Sequence, residues 1–448
     1  MQVIIVCENQ KKEVELSLDS IREYCDIENL GIIIADNHSE DGTREWANEQ
    51  SDITYVYNDE EKMPFPKFIN TIIKELELDD DLLIMASPYA VLPRTFSNLI
   101  NALYYSEDTV IAGGRSPSFS SNQSILDSSN DYEALFDMLR NISEDRSFEA
   151  LTLCANVFAI KKDYLASGIL LDERLTGIEN VIDDLCISAV VKNKKIRVSI
   201  YSLFWSPSYV YLDHTNEDMW AIDCDVMMEK WNMRYFNLAG NGRIVTLIEE
   251  DVQKAINVLE IGCDCAGTLL LTKSIFPKAS LYGTDICEAS LNIAKHAVNA
   301  CYNNIEDMNI PFTDVKFDYI IFGDVLEHLR EPLSVVKYCR ELLKDGGYIL
   351  ASIPNFMNVY VMEELLHGYF TYQETGLLDR THIHMFTYKE IIKMFKEAGY
   401  EITTMNAASS DISEDADKLI DKLMSLGSGV ERHMYTTFQY LVKAKKIN

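Results

Sequence analysis

The sequence predicts an α/β protein of two domains, each built on a Rossmann-like sheet of mostly parallel strands. At 448 residues the chain is too long for one ordinary domain and suits two of about 200 residues each. Apolar strand-like runs alternate with amphipathic helical stretches almost throughout, which is typical of a parallel sheet covered on both faces. The alternation restarts after the glycine-bearing stretch 238–242, so we place the boundary near Gly240 and predict domains 1–238 and 239–448.

Composition excludes several classes of partner. A formal charge of −31 and a pI of about 4.6 oppose binding to nucleic acid or to an anionic membrane. The N-terminal apolar run is too short for a signal peptide, and no stretch approaches the roughly 18 apolar residues of a membrane span, so we expect a cytoplasmic protein. Ten cysteines without a C-x-x-C pair are interpreted as buried, reduced thiols.

The N-terminal half begins with three strand-like runs separated by helical stretches. Strands are predicted at 3–7, 30–37 and 53–58, and helices at 13–24 and 43–49.

The motif "IIIADNHSEDGTREW", 32–46, reads as a strand ending in Asp36, a polar turn, and a helix with Thr43 near its cap. Its D-N-x-S-x-D-G-T pattern resembles family 2 glycosyltransferases of the GT-A fold. The resemblance extends more loosely over about 1–220, with "DHTNED", 213–218, in the place of a late histidine. It implies a nucleotide-sugar donor, with contacts to the donor from four residues of the motif: Asp36, Asn37, Ser39 and Asp41.

The strand "DLLIMA", 81–86, departs from that family. There the strand ends in D-x-D, whose aspartates hold Mn²⁺ or Mg²⁺ against the donor diphosphate, but this chain has Ala86 and Pro88. Asp81 lies five residues before Ala86, roughly 16 Å along an extended strand, so it cannot substitute. We interpret the run 79–81 as solvated charge and predict no metal ligands.

The acidic helix that carries the catalytic base in the family is also altered. Aligning Asp184 with the family's D-L pair puts Val181 and Ile182 where acidic residues are expected. A shifted register leaves Glu179 or Asp183 as the base, of which we take Asp183 as the candidate; a helix cap without a catalytic role is the alternative. This half therefore transfers sugar without a metal, binds a nucleotide sugar or glycan without turnover, or serves as an interface.

The C-terminal half opens with "INVLEIGCDCAG", a strand followed by a turn and a helix start. Gly262 allows a ligand to approach the backbone closely, while Ala266 occupies a position where a third glycine is usual. The next strand, "ASLYGTDI", ends in Asp285, whose carboxylate can accept hydrogen bonds from both hydroxyls of a ribose. The absence of G-x-G-x-x-G disfavours NAD and favours a nucleoside without a pyrophosphate.

Two further strands, in "FDYIIFGDVLEHL" and "GGYILASIPN", complete a set of four segments. Their order and spacing resemble class I S-adenosylmethionine-dependent methyltransferases with a seven-stranded sheet, and 376–402 looks like methyltransferases fused to surface-glycan glycosyltransferases. The resemblance implies S-adenosylmethionine as cofactor. It implies that the methionine part is surrounded by Glu260, Gly262, Cys263 and Gly267, and that Asp285 binds the ribose. It also implies that Glu306 or Asp307 faces the adenine and that Asp324 lies near the sulfonium.

Methyl transfer to a hydroxyl needs alignment and a base. His328 follows Glu327 just beyond a strand end, and His382 and His384 lie two apart, on one face if that stretch is extended. We predict His328 and His382 as catalytic candidates, with His384 the weakest because the family more often has arginine there. The alternative for each is a histidine bonded to a loop or facing solvent.

These features predict a bifunctional glycosyltransferase and methyltransferase of bacterial surface-glycan biosynthesis. The resemblance implies O-antigen, capsule or flagellin glycan as the setting, and a sugar or glycan-linked acceptor, such as flagellin or a lipid-linked glycan, as the partner. One alternative is a methyltransferase whose front domain binds a glycan or nucleotide sugar without catalysis. Another is a small-molecule or protein methyltransferase whose front domain docks the substrate. The sequence predicts no oligomeric state.

Overall fold

The structure of the protein is a computed structural model. It describes residues 1–59, 61–119, 123–125, 135–136, 139, 146–154, 156–168, 171–207, 217–233, 236–409, 411–426 and 429–447. The chain divides into two compact units, Met1–Ala239 and Gly240–Asn448. The stretch "DHTNED" lies outside the residues described in full.

Unit 1 is a nine-stranded sheet in the order β3-β2-β1-β4-β8-β6-β9-β5, with β7 also paired with β9. Its strands are β1 Gln2–Cys7, β2 Gly31–Asp36, β3 Thr54–Tyr57, β4 Leu82–Met85, β5 Ala90–Val91, β6 Thr109–Arg115, β7 Ser147–Ala150, β8 Val157–Ile160 and β9 Lys195–Trp205. Its described helices are α1 Lys11–Tyr24, α2 Thr43–Asn48, α3 Phe65–Glu75, α4 Thr95–Leu103, α5 Lys162–Ala166, α6 Ile178–Val190 and α7 Glu217–Trp231.

The expectation of a mostly parallel sheet holds for only part of unit 1. Strands β3, β2, β1 and β4 are parallel, whereas β8 runs antiparallel to both β4 and β6, and β5 and β7 run antiparallel to β9. The parallel part brings the ends of β1, β2 and β3 to one edge, because Cys7 pairs with Asp36 and Asp36 pairs with Tyr57. Polar residues after these strands therefore converge.

The reading of Asp81 as solvated charge is wrong. Asp81 is buried, and its carboxylate accepts hydrogen bonds from the Lys162 amide at 2.9 Å and the Tyr104 hydroxyl at 2.8 Å. Its neighbour Asp80 pairs with the N-terminal ammonium of Met1 at 2.6 Å. These carboxylates hold the start of β4 in place, at the end of that strand remote from Ala86.

Unit 2 is a seven-stranded sheet in the order β12-β11-β10-β13-β14-β16-β15, in which only β16 is antiparallel to its neighbours. Its strands are β10 Asn257–Ile261, β11 Ser280–Asp285, β12 Asn299–Tyr302, β13 Phe317–Gly323, β14 Leu343–Pro354, β15 Tyr400–Ser409 and β16 Thr437–Lys446. Its described helices are α8 Gly242–Val245, α9 Gly267–Ile275, α10 Glu288–Ala294, α11 Pro332–Leu342, α12 Val359–Leu366, α13 Tyr388–Glu397, α14 Glu414–Leu426 and α15 His433–Thr436. Two 3₁₀ turns occupy Ile305–Asp307 and Leu326–His328.

Gly240 does more than provide a flexible connection. Its φ is +78°, and a Cβ placed on it would lie 2.3 Å from the Thr268 amide nitrogen and 2.4 Å from the carbonyl carbon of Gly267. The next residue, Asn241, donates its amide to the Thr268 hydroxyl at 3.1 Å. The entry to unit 2 is therefore packed against the start of α9, which explains the glycine better than flexibility alone.

All ten cysteines are present as thiols, but the expectation of burial is wrong for Cys25 and Cys287, which are exposed. Among the helices that the structure describes, none is long and apolar enough to cross a membrane.

Candidate functional site

The turn after β10 is shaped by close approaches of backbone. Gly262 has a φ of +72°, and a Cβ on it would lie 2.5 Å from Cγ2 of Val325. The amides of Gly262 and Cys263 both donate to the Thr284 carbonyl, at 2.8 and 3.0 Å. Ala266, just before α9, has a φ of +73°, a conformation that costs an L-residue about 1 kcal/mol or more. The backbone thus keeps a glycine-like turn even though the third glycine is missing.

Asp285 ends β11 and organises the loops on both sides of it. One carboxylate oxygen accepts the Asp264 amide at 2.8 Å, and the other accepts the Cys287 amide at 2.8 Å. The side chain is partly open to solvent. Because a carboxylate has about four acceptor positions, it can still bind two hydroxyl groups.

Glu260 is almost fully buried beside the end of β13, since a Cβ on Gly323 would lie 3.8 Å from its Oε1. Its Oε2 has no hydrogen-bond partner in the part of the chain described. Burial raises the pKa of Glu260 to about 8. A buried carboxyl with an unused oxygen suits a ligand that brings a positive charge or a donor.

Two other residues predicted around the methionine part act through the backbone. The Cys263 thiol points inward, since a Cβ on Gly283 would lie 2.7 Å from its Sγ, and burial raises its pKa. Gly267 is the first residue of α9, and Gly240 packs against its backbone. Neither offers a side-chain contact to a ligand, so their contribution is the shape of the turn.

The structure separates the roles of Glu306 and Asp307. The Glu306 carboxylate accepts the Arg330 amide at 2.8 Å, which ties the 3₁₀ turn at Ile305–Asp307 to the loop after β13. Asp307 is exposed. Of the two candidates for an adenine contact, Glu306 is therefore the one whose carboxylate already accepts a hydrogen bond from the protein.

Asp324 follows β13 with a φ of +56°. Its Oδ1 accepts the Ser352 hydroxyl at 3.0 Å and the side-chain amide of Gln439. The residue is exposed to solvent, yet the protein around it raises the pKa of its carboxyl through desolvation. These contacts hold the carboxylate at the carboxyl edge of the sheet.

His328 and His382 are brought together by the fold. Their ring centroids are 4.8 Å apart in an edge-to-face arrangement. Nδ1 of His328 lies 3.1 Å from the Thr381 carbonyl, and Nδ1 of His382 lies 3.3 Å from the Leu377 carbonyl. Both Nδ1 atoms thus face carbonyl oxygens, which favours the tautomer that leaves Nε2 as an acceptor.

Glu327, which precedes His328 in the chain, is fully buried, and the structure gives neither of its carboxylate oxygens a hydrogen bond from the described residues. Its Oε1 lies 4.0 Å from Nε2 of His382. Burial, together with the nearby charge of Asp324, raises the pKa of Glu327 well above its usual range. Sequence reasoning missed this residue, although its place beside His328 in "DVLEHL" was visible.

His384 does not join the pair. The stretch 381–387 forms no strand, and Nε2 of His384 lies 3.0 Å from the Arg330 carbonyl. The amides of Ile383 and His384 both donate to the Glu327 carbonyl at 3.0 Å. This hydrogen bonding fixes the loop that carries His382.

In unit 1 the predicted donor motif is largely occupied by contacts of its own. Asp36 is fully buried; its Oδ1 accepts the Ser39 amide at 2.8 Å and its Oδ2 accepts the Tyr55 hydroxyl at 2.7 Å. The side chain of Asn37 bonds to the amide and carbonyl of Met63 at 3.1 and 2.9 Å.

The other two motif residues tie the turn to the start of α1. The Ser39 hydroxyl accepts the Asn9 amide at 2.8 Å, and the Asp41 carboxylate accepts the Lys11 amide at 2.8 Å. The motif therefore builds the edge of the sheet, with Asp36 at its base.

The positions of the missing aspartates are closed. Residues 81–92 are all buried, and Tyr89 packs inside with its hydroxyl accepting the Asn156 side-chain amide at 2.7 Å. Ala86 donates its amide to the Asn156 carbonyl at 2.8 Å. Within the described residues of unit 1, no group of three metal-ligating side chains is present.

The two adjacent aspartates of the acidic helix α6, Asp183 and Asp184, have different surroundings. Asp184 is buried and binds Nζ of Lys230 at 2.7 Å and Nε1 of Trp231 at 2.8 Å, so it holds α7. Asp183 accepts the Thr152 hydroxyl, and burial raises its pKa to about 7, helped by the charges of Glu179 and Asp184. A carboxyl with a pKa near neutrality can exchange a proton at physiological pH.

Comparison with known proteins assigns both halves. Residues 233–405 match the family model described as a methyltransferase domain, and residues 2–147 match glycosyl transferase family 2. The chain joins a family 2 glycosyltransferase domain to a methyltransferase domain. It is therefore an enzyme with a methyltransferase domain, as the four strand segments predicted.

Methyltransferases are also found among the relatives that are similar to part of the chain. Demethylmenaquinone methyltransferase of Listeria monocytogenes is 25% identical over 169 residues, covering 33% of this chain and 71% of that protein. The ubiquinone biosynthesis O-methyltransferase of Acinetobacter baylyi is 32% identical over 105 residues, covering 22% and 43%.

Among solved structures, a SAM-dependent methyltransferase from Archaeoglobus fulgidus is 19% identical, covers 50% of this chain and 99% of its own, and has a TM-score of 0.34. One from Aquifex aeolicus is 14% identical, covers 52% and 100%, and has a TM-score of 0.31.

Both domains hold residues at their site edges that the motifs did not indicate. In the glycosyltransferase domain, His38 stacks with Tyr57 at 6.1 Å between ring centroids, and Arg44 lies 4.2 Å from the centroid of Tyr57. The alternation of tyrosines in "ITYVYN" was the available signal. In the methyltransferase domain the missed residue is Glu327.

Proposed function

We propose that the methyltransferase domain binds S-adenosylmethionine along the carboxyl edge of its sheet. The buried Glu260 carboxyl carries this proposal, because its unpartnered Oε2 suits the ammonium of the methionine part. Gly262 and Gly267 shape the turn around it, with Cys263 contributing through its backbone. Asp285 binds the ribose hydroxyls, the exposed Asp307 rather than the engaged Glu306 faces the adenine, and Asp324 lies near the sulfonium.

The cofactor supplies an electrophilic methyl group on a cationic sulfur. His328 would accept the proton of the acceptor hydroxyl through Nε2 while that oxygen takes up the methyl group that the bound cofactor would supply. The Thr381 carbonyl holds the ring through Nδ1, which orients the lone pair. His382 packs against this ring and positions it.

Cofactor binding should release a proton from Glu260. With a pKa of about 8, most of this carboxyl is protonated at pH 7 before binding. The ammonium of the ligand favours the carboxylate, so we expect release of close to one proton per site, roughly 0.9. Isothermal titration calorimetry at pH 7 in buffers with different ionisation enthalpies measures it.

Glu260→Gln is the matched control for that titration, since it keeps the shape of the side chain and removes the titrating group. It should bind the cofactor more weakly and with the same enthalpy in every buffer. Equal enthalpies for the unsubstituted protein would show that Glu260 does not meet the ammonium.

For the glycosyltransferase domain we propose metal-independent binding and transfer from a nucleotide sugar, so that the enzyme is bifunctional. Asp36 lies at the base of the site, with Asn37, Ser39 and Asp41 shaping its rim, and Asp183 is the base. The raised pKa of Asp183 and the separate role of Asp184 support this choice over Glu179, which is exposed. Binding without transfer is the alternative, supported by the closed segment at Ala86 and Pro88.

The acceptor we propose is a sugar or glycan-linked hydroxyl in bacterial surface-glycan assembly, such as O-antigen, capsule or flagellin glycan. The pairing of the two domains supports it. A second candidate is an aromatic small molecule, as the names of the quinone-pathway relatives suggest. Exposed aromatic side chains at Tyr369, Phe370 and Tyr372 suit either a sugar ring or a quinol.

One assay tests both domains. The full chain is incubated with methyl-labelled S-adenosylmethionine and nucleotide sugars, free sugars or catechols, with and without EDTA. We expect label in sugar acceptors, and nucleotide release from a sugar donor that EDTA does not diminish. Label in catechols instead would establish the second candidate, and binding of nucleotide sugars without release would establish a non-catalytic front domain. Donor turnover that requires added Mn²⁺ would contradict metal independence.

A further inference from the structure

The methyltransferase domain contains a cluster of three metal-ligating side chains, Glu327, His328 and His382. One ligand atom from each lies within 4.8 Å of the others. It is the one such group in the described ranges of the chain. The sequence analysis predicted no metal ligands. That prediction rested on the missing aspartates of the front domain.

Glu327 is the observation that points to a ligand. Its side chain is about 1% exposed, and neither carboxylate oxygen has a hydrogen-bond partner among the described residues. A buried carboxylate without partners costs several kcal/mol, so it is stabilised either by a proton or by a cation. Its Oε1 faces Nε2 of His382, the atom of that ring that is free to bind.

Both histidines are oriented as metal ligands are. In metal sites a ligating imidazole usually donates its other N–H to a carbonyl or carboxylate, which fixes the tautomer and the ring. The Nδ1 atoms of His328 and His382 lie 3.1 and 3.3 Å from the carbonyls of Thr381 and Leu377. Both Nε2 lone pairs therefore remain for a cation, without any rearrangement of the loop.

The supporting backbone is also in place. The Glu327 carbonyl accepts two amides, from Ile383 and His384, so the segment that carries His382 is joined to the turn that carries Glu327 and His328.

We propose that Glu327, His328 and His382 bind one divalent transition-metal cation, with zinc or manganese the ions that suit two imidazoles and a carboxylate. Ligand atoms around a tetrahedral zinc lie about 3.4 Å apart, so a separation of 4.0 Å between Glu327 and His382 closes with small side-chain movements. Three protein ligands leave a coordination position open. An acceptor hydroxyl bound there would lose its proton more easily.

That catalytic role rests on the proposed methyl transfer, whereas the binding site does not. On metal binding, the hydroxyl proton would leave to solvent or to a nearby carboxylate, and His328 would serve as ligand in place of base. Metal binding and cofactor affinity are measured separately, and neither measurement needs methyl transfer. If the proposed function fails, the metal titration can therefore still be interpreted.

The test uses the full chain after dialysis against EDTA and then against chelator-free buffer. Zn²⁺ and Mn²⁺ are titrated by calorimetry, and Co²⁺ is added as a probe whose visible absorption reports its coordination. We expect one ion per chain with a Kd of about 1 μM or tighter for Zn²⁺. Glu327→Gln and His382→Ala should each weaken binding about 100-fold or more, while His384→Ala, the neighbouring histidine on the Arg330 carbonyl, should change it less than about threefold.

Retained S-adenosylmethionine binding and an unchanged circular dichroism spectrum show that the variants are folded; if His382→Ala is not, the isosteric Glu327→Gln decides. No saturable binding to the unsubstituted chain would overturn the proposal. So would binding that survives in Glu327→Gln and His382→Ala alike. Metal binding without any effect of EDTA on methyl transfer would keep the site and remove its catalytic role.

Discussion

Replacing Asp285 by alanine should weaken S-adenosylmethionine binding about 100-fold or more. The substitution would remove the two charge-assisted hydrogen bonds that we propose Asp285 accepts from the ribose, and truncating one partner of such a group typically costs 2–5 kcal/mol, about 30-fold to several thousandfold. It also frees the amides of Asp264 and Cys287, which Asp285 now holds at 2.8 Å each. Calorimetric titration with the cofactor measures the effect.

Two further variants separate ribose binding from loop support. Asp285→Asn keeps an oxygen for one amide and should lose less affinity than alanine. Asp314→Ala removes an exposed aspartate of the same domain and should leave affinity within about twofold. An Asp285→Ala protein that binds the cofactor normally would remove Asp285 from the site, and a large fall in melting temperature without a change in affinity would make it a structural residue only.

Replacing His328 by alanine should lower methyl-transfer turnover about 10²- to 10⁴-fold, the usual contribution of a positioned proton acceptor. Cofactor affinity should stay within about threefold, because the polar contact of the ring is with the Thr381 carbonyl rather than with any residue predicted to hold the cofactor. Stopped assays with the acceptor found in the labelling assay give the rate, and calorimetry gives the affinity.

His384→Ala is the control for that comparison, since His384 bonds to the Arg330 carbonyl and lies outside the pair. Its turnover should remain within about threefold of the unsubstituted enzyme. Full turnover by His328→Ala would show that the proton leaves by another route. A loss that added Zn²⁺ does not restore, together with normal metal binding, would favour a base over a ligand.

The strands that carry the candidate site residues, and the residues at the ends of those strands, were accessible from pattern. The runs ending in Asp36, Asp285 and just before Asp324 are apolar, short and followed by turn residues, so their type and their ends could be predicted. Parallel pairing then places these carboxylates at one edge of each sheet. What the pattern could not supply was the partner of each oxygen, because backbone amides such as those of Asp264 and Ser39 carry no sequence signal.

The interior of the front domain shows the same limit. Asp81 looked like surface charge in an acidic run, yet it is buried against Tyr104 and Lys162, which are distant in sequence. Likewise, Asp183 and Asp184 are adjacent and chemically identical, and only the position of α7 makes one structural and leaves the other with a raised pKa. The positions of Asp183 and Asp184 around the axis of α6 do not reveal which of the two will meet a lysine from a neighbouring helix.

The sequence by itself determined the two α/β halves, the absence of aspartates at Ala86 and Pro88, and the carboxylates at the strand ends. Those features depend on local periodicity and on residue type at a strand end. Only the tertiary structure placed His382 against His328 and buried the Glu327 side chain near them, with no hydrogen-bond partner for its carboxylate among the described residues. The physical reason is distance along the chain: more than fifty residues separate His382 from Glu327, and only the packing of that loop against the turn after β13 decides whether their side chains meet.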